Sequence, residues 1–252
     1  MSNRLKAAVA ECLARHIPVI VATGRMPQSA YRYWEELGLR PGPLIAFQGA
    51  TVVQMPEKRV VAKTTLPDDG ARLAVQWAID HDVLTQVYVG EELWVSREDP
   101  RVRHYIELHH IPAWIRGPAE ITDWPEPPMK ILLQGESLLL DGLRGELEAI
   151  LRPHAIRIFK SQSDYLELVN GDVGKSTGLK IAADILGVPQ EQVFAMGDAE
   201  NDIDMLRWAG WGVAMGQASA EVKAAADAVT SFVNDDGAAI ALERWVLEKA
   251  VD

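Results

Sequence analysis

The sequence predicts an α/β protein, a parallel-sheet domain divided by an inserted α+β module. Three observations carry this. Short continuous apolar runs at 17–22, 44–47, 192–196 and 211–215 read as strands buried on both faces, the kind found in parallel sheets. Amphipathic helices alternate with them. The stretch 65–161 has a different texture, with hairpins, helices and a Pro-rich connector, and reads as a module of its own. The domain boundaries expected are therefore 1–64 with 162–252 for the α/β part and 65–161 for the insert.

In chain order, Leu5, Ala8, Val9, Cys12 and Leu13 follow helical spacing and predict a helix over 3–16. The strand 17–22 comes next, and Pro27 is placed to start a second helix that Gly38 ends. A strand at 44–47 precedes strands at 51–54 and 60–64. In the insert, a helix at 68–81 is followed by strands at 83–89 and 93–96 joined at Gly90, a helix near 100–110, and the connector Trp124-Pro125-Glu126-Pro127-Pro128. A strand at 129–134, a helix from about Leu139 to Leu151 and a strand at 155–160 complete it. From 165 the reading is again parallel α/β: strand 165–169, helix 175–186 ended by Gly187, strand 192–196, a helix with Ile203 and Leu206, strand 211–215, helix 219–226, strand 228–230 and a closing helix after Gly237.

Composition excludes several classes. The 252 residues are 48% hydrophobic and 24% charged, enough for a sizeable core without a metal or disulfide staple. The single cysteine, Cys12, rules out an internal disulfide and a cysteine zinc cluster, and its place on an apolar helix face reads as an inert buried thiol. A net charge of −11 sets the surface against nucleic acid and anionic membranes. With no apolar run of the roughly 18 residues a bilayer span needs and no apolar leader, the expected location is the cytoplasm. His104, His109 and His110 lack the spacing of a helical zinc site, and the scattered tryptophans read as packing.

Chemistry concentrates at three strand ends or helix starts, where open α/β sheets bind ligands. Thr23-Gly24-Arg25 offers a hydroxyl and a backbone donor suited to phosphate, although taken alone it reads first as an ordinary strand-to-helix turn. Lys175 opens a helix, adding a full charge to the positive end of the helix dipole. Gly174-Lys175-Ser176 is like the tail of a P-loop, but that motif needs a glycine where Val169 stands. Gly197-Asp198-Ala199-Glu200-Asn201-Asp202 follows a strand; its acids either cap the next helix or, at Asp198, hold magnesium.

Taken together, these residues resemble the haloacid dehalogenase (HAD) superfamily of phosphatases, in its Cof-type branch with a large α+β cap. Ala22-Thr23-Gly24-Arg25 is similar to the second motif, Lys175 to the third, and 194–202 to the fourth. The likeness continues through Gly212-Val213-Ala214-Met215-Gly216, Glu221-Val222-Lys223 and Asn234-Asp235-Asp236-Gly237. The resemblance implies a Rossmann-like core, a Mg²⁺ cofactor and hydrolysis of a small phosphorylated metabolite, commonly a sugar phosphate, through an aspartyl-phosphate. It implies that Asp198 holds the metal with Asp202 in support. Thr23, Gly24, Arg25 and Asn201 contact phosphate, and Lys175 neutralises phosphate and nucleophile, so that Lys175 and Thr23 are the catalytic residues of this chain. Gln48 and Gln217 stand where the family commonly has asparagine.

One departure is large. The family's first strand ends in Asp-x-Asp-Gly-Thr and supplies the nucleophile; no such element occurs here, and neither Asp80-His81-Asp82 nor Asp202-Ile203-Asp204 follows a buried strand. The favoured reading is a phosphatase whose start lies upstream; the alternative is a non-catalytic relative that binds phosphorylated ligands. By resemblance the missing strand lies between those ending at Ala22 and Met196. Its absence predicts that these two edges pair directly, borrow a segment, or leave the fold less stable.

Overall fold

Ser2 opens the first helix. Its hydroxyl accepts the Leu5 amide at 3.2 Å, satisfying a donor that the helix start would otherwise leave unpaired. The computed structural model describes residues 1–109 and 111–248; of the histidines considered above, His110 lies outside the described residues. Along the chain, α1 (Asn3–Ala14) is followed by α2 (Pro27–Glu36), β1 (Gly42–Ala46), β2 (Thr51–Met55) and β3 (Arg59–Lys63). Next come α3 (Asp68–Asp80), β4 (Leu84–Val89), β5 (Glu92–Val95), α4 (Pro100–His109), β6 (Ala113–Ile115), β7 (Lys130–Gln134), α5 (Ser137–Leu151), β8 (Ile156–Gln162) and β9 (Tyr165–Asn170). The chain ends with α6 (Lys175–Leu186), β10 (Phe194–Gly197), α7 (Ile203–Trp208), β11 (Trp211–Ala214), α8 (Ala220–Ala224), β12 (Ala228–Val229) and α9 (Gly237–Leu242). No helix among the described residues is long and apolar enough to cross a membrane.

The chain divides into two compact units, Met1–Ala62 with Gly174–Asp252, and Lys63–Val173. In the first, β10, β11 and β12 form a parallel sheet with Ala195 opposite Gly212 and Val213 opposite Ala228. β1 and β2 pair antiparallel with Ile45 opposite Val52, and β3 lies beyond β2.

The expected strand at 17–22 is extended but makes only one parallel bridge, Ala22 to Ile45. Two hydrogen bonds hold it there, Ile45 N to Val21 O and Thr23 N to Ile45 O, each 2.9 Å. β10 has β11 on one edge and no ladder partner on the other among the described residues. Yet the two segments fill the same layers. Val19, Val21, Phe194 and Met196 pack into the cluster around α1 and α9, while Ile20, Ala22 and Ala195 join the cluster around α6 and α7. The side chains of 17–22 are at most half-buried against these clusters; a ladder also needs a neighbouring backbone about 4.8 Å away, and β1 supplies one only at Ala22. Direct pairing of the two edges does not occur.

The second unit is a six-stranded sheet in the order β6-β5-β4-β7-β9-β8, antiparallel except between β5 and β6. On one face Ala74 and Ala78 of α3 and Leu140 and Leu147 of α5 pack with Val87, Ile131, Leu133 and Leu168. Strand alternation sends Gln86, Tyr88, Lys130, Gln134 and Glu167 to the other face, and all five are buried. There Lys130 Nζ lies 3.1 Å from Glu167 Oε2 and 4.5 Å from the Tyr88 ring centroid. Gln86 Nε2 donates to Gln134 Oε1 at 3.1 Å, and the Tyr88 hydroxyl donates to that of Tyr105 at 2.7 Å. Burial drives the Tyr88 phenol well above its ordinary range and the Tyr165 phenol up to about 12.

The sequence boundary at 161/162 needs correcting. Residues 165–169, read as a strand of the parallel domain, belong to β9, which pairs antiparallel with β7 and β8 inside the second unit. The run has no exposed position and is mostly apolar, which reads as a strand buried on both faces, although Glu167 between Leu166 and Leu168 keeps the alternation of an antiparallel strand.

Candidate active site

The site is assembled from three backbone turns of the first unit. Thr23 and Gly24 follow the bridged segment, Gln48 and Gly49 follow β1, and Asp198 to Asp202 follow β10. Gln48 N donates to Thr23 O at 3.1 Å, tying the first turn to the second. Gly24 lies so close to the Gln48 side chain that a Cβ there would stand 2.1 Å from Nε2. Gly49, at φ +96°, approaches the start of α6 so tightly that its Cβ would lie 1.9 Å from Gly174 O. Only glycine fits both the left-handed conformation and that gap, and the approach brings Lys175 toward the β1 turn.

Asn201 links the second turn to the third: its Nδ2 donates to Gln48 Oε1 at 2.6 Å. The Asn201 Oδ1 atom is buried and has no hydrogen-bond partner. Such an orphan is costly unless a ligand completes it.

Asp202 is the hub. Oδ1 accepts from Lys175 Nζ at 2.5 Å, and Oδ2 accepts from the Asp198 and Ala199 amides at 2.9 and 3.0 Å. Lys175 and Asp202 are 8% and 3% exposed, so this is a desolvated charge-assisted pair rather than a surface contact. One carboxylate thereby fixes the shape of the acidic turn and the position of the ammonium. A parallel clamp lies one turn further along, where the Ser176 amide and hydroxyl donate to Asp204 Oδ2 at 3.2 and 2.8 Å.

Asp198 itself is exposed. Its Oδ2 accepts from Gln217 Nε2 at 3.0 Å, and Gln217 Oε1 accepts the Val233 amide at 3.1 Å. Among the described residues no group of three or more His, Cys, Asp or Glu is arranged to hold a metal. The donor set nevertheless suits magnesium, which takes one or two carboxylates and completes its shell with water and phosphate oxygens. Asp198, engaged only through Oδ2, is the more open carboxylate of the turn, while Asp202 Oδ1 accepts a single hydrogen bond, from Lys175.

The structure thus brings together Thr23, Gly24, Lys175, Asn201, Asp198 and Asp202. It turns the Arg25 side chain elsewhere, onto Tyr33, while the Arg25 amide donates to Thr23 Oγ1 at 3.2 Å. The Thr23 hydroxyl hydrogen has no acceptor among the described residues and is left to donate. Sequence reading treated Gln48 and Gln217 only as amide substitutions; their positions after β1 and β11 were the signal that both belong to the site. The Ser176–Asp204 clamp had no signal, since either residue alone reads as a helix cap.

This fold and this three-turn site define a class, and comparison with known proteins identifies it. The profile of the haloacid dehalogenase-like hydrolases matches residues 1–242, so the chain belongs to that family. It is 28% identical over 242 residues to the 5-amino-6-(5-phospho-D-ribitylamino)uracil phosphatase YitU of Bacillus subtilis, an alignment covering 90% of this chain and 84% of the relative. The crystal structure of a haloacid dehalogenase-like hydrolase from Bacteroides thetaiotaomicron superposes with a TM-score of 0.83 at 29% identity, over 96% of this chain and 92% of the other. A solved subclass IIB sugar phosphatase shares the fold at TM-score 0.86 and 21% identity, over 97% and 92% of the two chains.

Proposed function

We propose that this chain carries the phosphate- and metal-binding machinery of a Mg²⁺-dependent phosphatase that acts on a small phosphorylated metabolite, a sugar phosphate or a relative of one, through an aspartyl-phosphate. The observation that carries the reading is the buried Lys175–Asp202 pair at 2.5 Å, which anchors an ammonium beside the acidic turn. A phosphorylated ribityl compound in the name of the Bacillus subtilis relative agrees with the substrate class.

In this reading the Thr23 hydroxyl, the Gly24 amide and Asn201 hold the phosphate oxygens, and Lys175 offsets negative charge as phosphorus is attacked. Such positioning and electrostatic roles dominate phosphoryl transfer. Asp198 would hold Mg²⁺, which supplies Lewis-acid stabilisation of phosphate charge when bound. We assign the nucleophile's role to none of the described residues. Asp80 ends α3 and Asp202 precedes α7, so neither follows a strand. In this reading the first carboxylate of an Asp-x-Asp-Gly-Thr strand would bond to phosphorus as the ester P–O bond breaks, the second acid giving its proton to the leaving alcohol, and water would then release phosphate from the aspartyl-phosphate.

The test joins the 252 residues to a strand ending in Asp-x-Asp-Gly-Thr and assays both proteins with Mg²⁺ on a panel of phosphate esters. The joined protein is expected to turn over and to lose activity in Lys175→Ala, while the 252-residue chain binds phosphate without hydrolysing it. Turnover by the 252-residue chain that Asp198→Asn abolishes overturns the assignment. Phosphate binding with no turnover in either protein favours the second reading, a non-catalytic binder of phosphorylated ligands, for which the absence of an Asp-x-Asp-Gly-Thr element speaks.

A further inference from the structure

One group of cations stands apart from the contacts that join Thr23, Lys175 and Asn201. Arg25 Nη1 and Arg32 Nη2 donate to the same atom, the Tyr33 hydroxyl oxygen, at 2.6 and 2.7 Å. Both guanidinium carbons also lie over the Tyr33 ring, 5.2 and 4.7 Å from its centroid. The three residues are half-buried, so two like charges face each other with incomplete screening.

Two features of this cluster point to a ligand. A phenol oxygen has two lone pairs and one hydrogen. With both lone pairs taken by guanidinium N–H groups, the Tyr33 hydrogen is left as a donor, and no acceptor for it exists among the described residues. Secondly, Arg25 has no carboxylate partner among the described residues, although the chain has 36 Asp and Glu against 25 Lys and Arg. A surface this rich in acids supplies counter-ions readily, and here Arg25 faces a phenol and a second guanidinium instead. The N–H groups that Arg25 does not give to Tyr33 and the Tyr33 phenol O–H form a donor set, which matches the oxygens of a phosphate or carboxylate.

We propose that Arg25, Arg32 and Tyr33 form an anion-binding subsite, distinct from the phosphate contacts of Thr23, Lys175 and Asn201, that takes a second acidic group of the substrate. The link to substrate rests on the phosphatase reading: Arg25 directly follows Thr23 and Gly24, and its amide donates to Thr23 Oγ1, so both anion sites are built on one turn. The substrate class narrows accordingly, from any phosphorylated metabolite to one that carries a further phosphate or a carboxylate.

The experiment titrates the 252-residue chain with inorganic phosphate by calorimetry at low ionic strength. Two phosphates per chain are expected, with one lost in Arg32→Gln and in Tyr33→Phe and the other lost in Lys175→Ala. Tyr33→Phe keeps the ring and removes only the oxygen, and an unchanged unfolding temperature verifies that its fold is intact. A single phosphate whose affinity neither Arg32→Gln nor Tyr33→Phe alters overturns the subsite. Two phosphates of which Lys175→Ala removes neither overturn the phosphatase site and leave the subsite standing. Further arms compare a sugar bisphosphate and a phosphorylated carboxylic acid with a sugar monophosphate. One di-acid is expected to bind about tenfold tighter or better, the preferred one identifying the second group, with the advantage lost in Tyr33→Phe. Equal affinity of all three overturns the link to substrate.

Discussion

Each unit buries a lysine against a carboxylate, and the two pairs are used in opposite ways. In the second unit Lys130 and Glu167 lie on adjacent strands, 2% and 5% exposed, at 3.1 Å and beneath the Tyr88 ring. Beside them Gln86 is hydrogen-bonded to Gln134 and Tyr88 to Tyr105, all buried on the same sheet. In the first unit Lys175 opens a helix and Asp202 lies in a turn, and around them are the orphaned Asn201 Oδ1 and the exposed Asp198. The same ion pair is a fastening within a sheet in one setting and the fixed part of an unfinished site in the other. Burial alone does not separate them; the unfilled hydrogen-bonding capacity around them does.

That comparison is open to attack in several ways. The largest effect on stability is expected from Lys130→Met, which strands Glu167 in the sheet and should cost about 3–5 kcal/mol in denaturant unfolding. The double variant Lys130→Met with Glu167→Leu should recover most of it, and no recovery would show that the pair is not a closed unit. In the protein joined to an Asp-x-Asp-Gly-Thr strand, Lys175→Ala should lower turnover by two or more powers of ten, roughly 3 kcal/mol at the transition state. Turnover within a few-fold of the parent, measured on p-nitrophenyl phosphate, would place Lys175 with Lys130 as a merely structural lysine.

Gly49→Ala should destabilise the first unit by about 1–3 kcal/mol, because the new methyl meets the Gly174 carbonyl in a left-handed conformation. Phosphate affinity should fall with it, since Gly49 sets where α6 begins; a weaker fold with unchanged affinity would separate the turn from the site. The smallest effect belongs to a pair near the surface of the second unit. Hydrogen bonding from Arg101 holds the Asp99 carboxyl at about 2. A folded-state value below the unfolded one of about 3.9 means that its contribution is present above that value and disappears as pH falls through about 2. Carbon-detected NMR titration should find this midpoint, and Arg101→Gln should return it toward the ordinary range.

What was legible in the sequence was local. Thr23-Gly24-Arg25, the Lys175 helix start and the acidic turn each declare themselves within a few residues of a strand end or helix start. What was hidden depends on contacts far apart in sequence. Asn201 and Gln48 are separated by 153 positions, and nothing in either stretch specifies that their amides meet. The fate of 17–22 was likewise hidden: its apolar pattern predicts burial on both faces, of which the structure has at most half-burial, and is silent on whether a backbone lies alongside. β9 misled because none of its positions is exposed: the one charge that marks its alternation, Glu167 between Leu166 and Leu168, is itself buried, and only the partner strands decide which sheet it joins.

The hub carboxylate has a kinetic consequence. Because Lys175 has Asp202 as its counter-ion, the pair leaves no stranded ammonium, and in the proposed reading an incoming phosphate would share that ammonium rather than capture it outright. The competition weakens the hold on inorganic phosphate as much as on the ester that precedes it. In the proposed reading, such a site would hold inorganic phosphate more weakly than one whose ammonium had no other counter-ion, and so would be less prone to inhibition by its own product.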